Sequence, residues 1–372
     1  MRLLRRRDPL VSVVVPAYRV EEWLPECLAA LVAQTHRTWE AVVVDDGSPD
    51  RSGEIAEEWA ARDRRIRVVH TPNGGLGAAR NEGARHVRGD YLAFLDSDDL
   101  LPPDAYTALL TSLEGSGSDF ATGSMVRLEN GRRVEPRWMR RLHDPPLTGA
   151  RIGERPEILG DVFAWNKLFR RSFWEDAGLA WPEGVRYEDQ PATTRAFLAG
   201  SFDVLPDVVY QWRIRTDGSS ITQQRSAIED LRDRWWTKRD SLAAVQAHGD
   251  PAVTDVFVTR VLAGDLWRYF LLVPDASEEW WSELRAGILG IWGDRSLTGS
   301  GLPPVHRLCG WLVEQGRRDD AAALMAYVAE RRAPLPRTPD PVTGGMRLDV
   351  PGEVLDVSTV DPAALAVRPH EV

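Results

Sequence analysis

The sequence predicts an α/β fold in which a mostly parallel sheet is flanked by helices, with a helical appendage towards the C-terminus. Over the first hundred residues, short apolar runs alternate with amphipathic segments, and polar residues or glycines follow each run. Beyond about residue 226, apolar residues recur at helical spacing without strand alternation. We therefore expect an α/β domain over residues 1–225, a helical domain over 226–332 and a flexible tail over 333–372, where proline and small residues prevail.

The first two strands are predicted from apolar runs that end abruptly. Residues 11–16 are largely apolar up to Pro16, and the periodic segment 21–34 then predicts a helix. Residues 39–44 form the second run, which is followed by Asp45 and Asp46 and by a helix around residues 55–59. Each unit therefore consists of a strand, a polar exit and a helix.

The third and fourth strands repeat this arrangement. Residues 66–69 precede the glycine-rich segment 73–77 and a helix that includes residues 80–85, and residues 91–95 form the fourth run. Because such alternation implies right-handed crossovers, the carboxyl ends of these strands share one edge of the sheet, where ligands bind. The polar groups expected to converge there are Asp45, Asp46, Gly74, Gly75, Gly77, Arg80, Asp96 and Asp98.

The exit of the fourth strand carries three carboxylates, Asp96, Asp98 and Asp99. Neighbouring ionised acids are stabilised by a cation, and a hard divalent ion with oxygen ligands is the usual one. The alternative is that Asp98 and Asp99 only cap a helix that begins near Pro102, since Asp is a favoured cap. This segment alone supports the two interpretations equally.

Composition and charge restrict the class of protein. The 372 residues, 43% of them hydrophobic, supply a core for one large and one smaller domain, and the net charge of −10 argues against a nucleic-acid partner. No run of about 18 apolar residues is present, so no membrane span is expected. The basic residues 1–7 lack a following apolar core, so they are interpreted as a disordered end, with contact to an anionic membrane as the alternative. Cys27 and Cys309 are too few for a disulfide framework and suit a reducing cytoplasm.

Several motifs together resemble the family-2 glycosyltransferases, which have the GT-A fold and use nucleotide-diphospho-sugars. The resemblance covers roughly residues 10–224, and its strength lies in the order and spacing of the motifs. They are Val13-Val-Val-Pro-Ala-Tyr18, Val43-Val-Asp-Asp-Gly-Ser48, Asn73-Gly-Gly-Leu-Gly-Ala-Ala-Arg-Asn81, Phe94-Leu-Asp-Ser-Asp-Asp99, Asn166-Lys-Leu-Phe169 and Tyr187-Glu-Asp-Gln190.

The resemblance implies a donor site and a divalent ion, Mn²⁺ or Mg²⁺. Asp46 would accept from the base's ring N–H, Asp96 would lie near the ribose, and Asp98 would hold the ion, which neutralises the departing diphosphate as a Lewis acid. Arg80 is expected to contact the base or diphosphate, with surface solvation as its alternative. The implied nucleotide-sugar-binding set is Pro16, Tyr18, Asp46, Gly75, Arg80, Asn81, Asp96, Ser97, Asn166, Lys167, Arg213, Arg215 and Ser219, and Asp98 is the implied metal ligand.

The resemblance also implies a catalytic base at the start of a helix. Asp189, with Glu188 beside it, precedes the helical segment 191–198 and would deprotonate the acceptor hydroxyl. The alternative is an acid that only favours the helix dipole. Arg213, Arg215 and Ser219 resemble a loop that closes over the diphosphate in relatives, although an ordinary charged loop is nearly as well supported.

The expected function is that of an inverting, metal-assisted glycosyltransferase that uses a nucleotide-activated sugar such as a UDP-sugar. The acceptor is a hydroxyl of a glycan, polyol-phosphate polymer, lipid carrier or natural product. A nucleotidyltransferase and a catalytically silent sugar-nucleotide-binding protein are the alternatives. The segment Gln211-Trp-Arg213 matches the Gln-x-x-Arg-Trp motif of processive synthases in neither spacing nor order, so we expect a non-processive enzyme. The tryptophans of residues 226–332 are interpreted as a core rather than a sugar-binding surface, and self-association, acceptor recognition and membrane docking are left open for this part.

Overall fold

A computed structural model of the chain describes residues 8–129, 131–215, 227–331, 333–341 and 343–371. The chain forms two compact units, residues 1–219 and 220–372. The first unit contains the predicted α/β sheet, and the second contains long helices. The division lies close to the boundary expected between residues 225 and 226.

The first unit begins with the four predicted strand–helix repeats. Its elements are β1 Val11–Ala17, α1 Leu24–Val32, β2 Trp39–Asp45, α2 Ser52–Arg62, β3 Ile66–His70, α3 Leu76–Arg85, β4 Tyr91–Phe94 and α4 Ala105–Ser116. All four predicted strands are confirmed within one or two residues. Helix α4 begins at Ala105, so Asp98 and Asp99 do not cap it.

The remaining elements of the first unit enlarge the sheet. They are β5 Phe120–Glu129, β6 Arg132–Val134, α5 Arg137–His143, β7 Leu147–Ala150, β8 Lys167–Arg170, α6 Arg171–Asp176, α7 Asp189–Ala199 and β9 Phe202–Arg213. The strand order is β3-β2-β1-β4-β8-β5-β9-β7, with β6 paired to β5. Strands β1–β4, β5 and β9 run in one direction and β6, β7 and β8 in the other, which confirms a mostly parallel sheet.

The central strands β1, β2 and β4, which lead into the candidate site, are buried on both faces of the sheet. Every residue of β1, β2 and β4 is buried, and Val14 at the centre is in register with Val42 on one side and Phe94 on the other. Strands covered on both faces read as continuous apolar runs, which is why they were recognisable in the sequence. This rigid centre fixes the positions of the polar residues that leave the carboxyl ends of the strands.

The second unit is mainly helical. Its helices are α8 Ile228–His248, α9 Pro251–Val256, a π-helical turn over Phe257–Leu262, α10 Trp267–Phe270, α11 Glu278–Trp292, α12 Pro304–Glu314 and α13 Arg318–Glu330. Trp235, Trp280, Trp281 and Trp292 are all at most 5% exposed. Helix α11 approaches α8 so closely that a Cβ on Gly287 would lie 2.0 Å from the Trp235 ring. These tryptophans therefore form a core.

The structure differs from the flexible tail expected after residue 332. Three short strands form an antiparallel sheet, β10 Arg337–Pro339, β11 Met346–Leu348 and β12 Ala366–Val367, with α14 Pro362–Leu365 before the last strand. The buried Arg307 of α12 donates to the Glu371 carboxylate at 2.5 and 2.8 Å and to the Ala366 carbonyl at 2.9 Å. A buried ion pair and a β-ladder are long-range contacts, which a composition rich in proline does not reveal. Among the residues that the structure describes, no helix has the length and apolar character needed to cross a membrane.

Candidate functional site

Polar side chains gather at the carboxyl ends of β1–β4, as the alternation of strands and helices predicts. Asp45 and Asp46 end β2, the glycine-rich loop follows β3, and Asp96 to Asp99 follow β4. The Asp46 carboxylate bonds to the glycine-rich loop, and Arg80 of α3 bonds both to Asp96 and to the start of α7. The site is thus assembled by the topology of the sheet from segments far apart in the sequence.

Asp46 is buried and holds the glycine-rich loop in place. One carboxylate oxygen accepts from the Gly74 N–H at 2.8 Å, and the other accepts from the Gly75 N–H at 2.9 Å. Its backbone carbonyl also accepts from the Asn73 side chain at 3.1 Å. Because a carboxylate offers about four acceptor positions, these bonds leave Asp46 with capacity for a further donor such as the ring N–H of a base.

The glycines of this loop serve the fold as well as the site. Gly75 has a φ of 86°, a conformation that side chains rarely adopt, and a Cβ on Gly77 would lie 2.1 Å from the Pro182 carbonyl oxygen. The Asn81 side chain donates to the Trp181 carbonyl and Glu183 carboxylate, and accepts from the Trp181 N–H. Asn81 therefore joins α3 to the segment before α7, and its contact with a nucleotide stays a prediction.

Arg80 is the centre of the site. Its guanidinium is 1% exposed, and it donates to the Asp96 carboxylate at 2.7 Å, to the Glu188 carboxylate at 2.6 Å and to Asp189. The face of Trp181 lies 5.1 Å from the guanidinium carbon. The sequence placed Arg80 either against the donor or in solvent. The structure contradicts surface solvation, because this arginine is buried and joins the acid of the β4 exit to both acids at the start of α7. Its contact with a donor stays a prediction.

Burial and like charges perturb the ionisation of this cluster. Burial raises the pKa of Glu188 to about 8, and the neighbouring Asp189 carboxylate contributes to the same shift. Burial also raises the pKa of Asp96. Burial alone would lower the pKa of Arg80, but Asp189, Asp96 and Glu188 together raise it. At neutral pH the cluster therefore holds an ionised Arg80 and a protonated Glu188.

Asp189 is positioned as the accessible carboxylate of the cluster. Its side chain is 18% exposed, compared with 6% for Glu188. One of its oxygens accepts from Arg80, and the other accepts a long bond of 3.3 Å from the Ala164 N–H. Tyr187, two residues earlier, has a φ of 63°, and such backbone strain in a residue other than glycine is concentrated at functional sites. The second oxygen is thus held by one long hydrogen bond.

Asp98 is half-buried and faces Arg215. The Arg215 guanidinium donates to one Asp98 oxygen through two nitrogens at 2.6 and 2.8 Å, and it lies 4.0 Å from the Trp23 ring centroid. Mg²⁺ is commonly held by one or two carboxylates together with substrate phosphates, so Asp98 fits an ion that the substrate helps to bind. Arg215 occupies one of the two Asp98 oxygens and would compete with the ion for it. In the described parts of the chain, no three His, Cys, Asp or Glu side chains are grouped to hold a metal by themselves.

Asp99 and Tyr210 were not assigned functional roles from the sequence. The Asp99 carboxylate accepts from the Tyr210 hydroxyl at 2.8 Å and from the Arg213 N–H at 2.7 Å, and burial raises its pKa well above the ordinary value. The Asp96 N–H donates to the same hydroxyl at 3.3 Å. Arg213 itself donates to the Asp98 carbonyl at 2.9 Å and to the Glu26 carboxylate at 2.6 Å. These bonds fix the β4 exit against β9.

Asn166 and Lys167 are buried, and their side chains bond to the loop of residues 161–166. The Lys167 ammonium is completely enclosed, lies 3.1 Å from the Asp161 carboxylate and donates to the Asp161 and Phe163 carbonyls at 2.9 and 2.8 Å. The Asn166 amide donates to both Asp161 oxygens at 3.0 Å. Both side chains thus shape the loop of residues 161–166, and their contact with a donor stays a prediction. Asp161 has no local sequence signal, since its partners are defined only by the fold.

The other residues expected to contact the donor differ in their exposure. Pro16 is buried within β1, Tyr18 is exposed directly after that strand, and Ser97 is buried between Asp96 and Asp98. Ser219 and the basic residues 1–7 lie outside the described residues. The structure thus leaves Tyr18 at the edge of the site and encloses Pro16 and Ser97.

Similarities to known proteins agree with this arrangement. Residues 12–178 match the sequence model of glycosyl transferase family 2. Uncharacterized glycosyltransferase EpsJ of Bacillus subtilis is 37% identical over 60% of this chain and 66% of its own length. Putative glycosyltransferase EpsH of the same organism is 35% identical over 58% of this chain and 63% of its own length. The chain thus spans just under two thirds of the length of these two relatives.

The fold has a solved counterpart. The crystal structure of residues 1–349 of S. aureus TarS in complex with UDP-GlcNAc superposes with a TM-score of 0.69 at 22% identity, covering 91% of this chain and 96% of that one. At this identity the likeness establishes the architecture, and the expected GT-A fold is confirmed. The family match begins in β1 and extends past α6, so it contains the exits of β1–β4 described above. On these grounds residues 12–178, which hold the candidate site's strand exits, belong to glycosyl transferase family 2.

Proposed function

We propose that this chain is an inverting glycosyltransferase that moves a sugar from a nucleotide-diphospho-sugar to an acceptor hydroxyl, with Asp189 as the general base. The observation that carries the proposal is the convergence of Asp96, Glu188 and Asp189 on the buried guanidinium of Arg80. This cluster joins the exit of β4 to the start of α7. A single arginine therefore contacts both Asp96 on the expected donor side and Asp189 on the expected acceptor side.

The proposed reaction is a direct displacement. The acceptor oxygen attacks the anomeric carbon as Asp189 takes its proton, a bond forms between these atoms, and the bond to the diphosphate oxygen breaks. The nucleoside diphosphate leaves from the opposite face, so the anomeric configuration inverts. Arg80 holds one Asp189 oxygen and leaves the other for the proton. A protonated Glu188 reduces the negative charge around the base.

The donor side of the proposal rests on Asp46 and Asp98. Asp46 is a fixed, buried acceptor suited to a base N–H, and Asp98 is the carboxylate that would hold Mn²⁺ or Mg²⁺. When bound, such an ion neutralises charge on the departing diphosphate. UDP-sugars are the donors we propose first, since TarS, which shares the fold, was solved with UDP-GlcNAc. We place the activity in the cytoplasm, because both cysteines are buried free thiols.

The experiment that tests the proposal compares wild type with D189N. Sugar transfer or donor hydrolysis should fall by about 10²–10⁴-fold in D189N, because a general base typically contributes this much. The dissociation constant of the nucleotide, measured by calorimetry, should change by less than about twofold. The matched control is D176N, which alters an exposed aspartate at the end of α6 and should leave both quantities unchanged.

Two results would contradict the proposal. If D189N turns over as fast as wild type, Asp189 is a helix-terminal acid and not the base. If wild type binds a nucleotide but neither transfers nor hydrolyses any activated sugar, the chain is a binding protein without catalysis.

A further inference from the structure

A run of aromatic rings lies beside the candidate catalytic site. Trp138 on α5 packs on Phe163 with ring centroids 5.9 Å apart, and Phe163 stacks on Trp165 at 4.5 Å. Phe163 also lies 6.2 Å from Trp212, and Trp165 stacks on Tyr210 at 4.0 Å. Trp165 and Tyr210 are buried, whereas Trp138, Phe163 and Trp212 retain exposed surface. We call these last three residues the aromatic face.

The aromatic face is connected to carboxylates of the candidate site at two points. Phe163 directly precedes Ala164, whose N–H donates to Asp189. Trp212 lies on β9 between Tyr210 and Arg213, and both of those residues donate to Asp99 at the β4 exit. The aromatic face therefore borders the proposed base on one side and the exit of β4 on the other.

The backbone beneath the aromatic face is held rigidly. The buried Lys167 ammonium donates to the Phe163 carbonyl at 2.8 Å, and the Thr193 hydroxyl of α7 donates to the Val162 carbonyl at 3.2 Å. Two bonds from Asn166 to Asp161 close the loop of residues 161–166. Rings mounted on a fixed loop lose little entropy when a ligand stacks on them, which is a property of preformed binding sites.

Exposure of these rings requires an explanation, because burial would be favourable. Trp138 is 38% exposed although it packs on Phe163, which is itself partly exposed. A single exposed ring is not unusual, as Trp236 of α8 shows at 46% exposed, so it is the grouping of three rings that indicates a patch. Exposed apolar patches bordered by polar groups usually mark a binding site. Arg127 supplies such a polar group, since its guanidinium lies 5.2 Å from the Trp212 ring centroid.

We propose that the aromatic face is the acceptor subsite and that it binds a cyclic sugar. A pyranose ring presents a flat face of C–H groups that packs on aromatic rings, while its edge carries hydroxyls that charged groups such as Arg127 can bind. An open-chain polyol or a lipid tail lacks this combination. The inference rests on the proposed function, and it narrows the acceptor class to carbohydrate chains among the acceptors considered above.

The test uses saturation-transfer NMR and calorimetry on the full chain. The probes are tetrasaccharides of β-1,4-linked glucose and N-acetylglucosamine, with ribitol and glycerol 3-phosphate as open-chain comparisons. The variants are W138A, W138F and the control W236A, which alters a tryptophan on α8 that is 46% exposed. A tetrasaccharide should bind wild type, W138F and W236A alike, and W138A about five- to tenfold more weakly.

Three results would overturn this inference: no tetrasaccharide binds wild type, W138A binds as wild type does, or only the open-chain probes bind. Calorimetric titration of nucleotide into the same samples reports separately on the proposed function. Nucleotide binding without Trp138-dependent sugar binding refutes the acceptor subsite alone. Failure of wild type to bind any nucleotide removes the proposed function itself, whatever the sugar probes show.

Discussion

Replacing Arg80 with methionine should destabilise the protein in a manner that depends on pH. R80M keeps an unbranched apolar stem similar to that of arginine but removes the guanidinium that contacts Asp96, Glu188 and Asp189. In wild type these carboxyls surround a cation that is 1% exposed. In the variant they would be left close together with no opposite charge between them.

The size of the destabilisation follows from the burial of Arg80 and its carboxylate partners. Removing one partner of a buried ion pair typically costs about 3–5 kcal/mol, because the remaining charge stays buried and uncompensated. We expect this loss in the free energy of unfolding for R80M at pH 8. At pH 5 the loss should be smaller by about 1–2 kcal/mol, because the uncompensated carboxyls regain neutrality by binding a proton that the unfolded chain binds less readily.

The assay is urea unfolding of both proteins at pH 5 and pH 8, with R85M as the matched control. Arg85 lies on the same helix, but its side chain is 67% exposed and its contact with Glu82 is a surface ion pair. R85M should therefore change the free energy of unfolding by less than about 0.5 kcal/mol at either pH. A loss in R80M below about 1 kcal/mol, or an equal loss at both pH values, would refute the account of Arg80 as the charge at the centre of the site.

Three further predictions concern neighbouring residues. In wild type, the free energy of unfolding should fall as pH rises from about 4.5 to about 8, because folded Glu188 retains a proton that the unfolded chain releases. E188Q should show a shallower fall in calorimetric melting temperature, and identical slopes would contradict the raised pKa. K167M should lower the free energy of unfolding in urea by about 3–5 kcal/mol, because Asp161 is left as a buried unpaired charge. The double variant D161N/K167M leaves no such charge and should recover part of this loss. A double variant as unstable as K167M would contradict this explanation. R215Q should bind Mn²⁺ several-fold more tightly than wild type without nucleotide, measured by electron paramagnetic resonance, because Arg215 occupies an oxygen of Asp98; unchanged affinity would show that the two cations do not compete.

The parts of the fold that were predictable from the sequence are those encoded locally. Strands β1, β2 and β4 are buried on both faces, so their apolar runs identify them, and the polar residues after them mark the exits. The convergence of these exits follows from the handedness of strand–helix–strand units. The insertion of β8 between β4 and β5 has no such local signal, because it depends on pairing between distant segments.

In the candidate site, too, the residues were predictable from local sequence but their tertiary contacts were not. Residue type and motif spacing singled out Asp189, Asp96 and Arg80, but they did not reveal that the arginine lies between the two acids. Arginine is mostly exposed in proteins, so its burial here depends on three carboxylates supplied by the tertiary structure. Lys167 was assigned to the donor because it is basic and lies in a motif. In the structure its ammonium forms an ion pair with Asp161, a residue that comes near Lys167 only when the loop is folded.

The proposal that this chain binds a nucleotide-activated sugar through Asp46 and Asp98 is tested most directly by calorimetric titration. UDP, GDP, CDP and dTDP would each be titrated into the full chain with Mn²⁺ and again with EDTA. We predict that one nucleotide, UDP first among them, binds with Mn²⁺, that EDTA weakens this binding, and that D98N weakens it in the same way. Absence of binding by every nucleotide to a folded sample would contradict the assignment of this site.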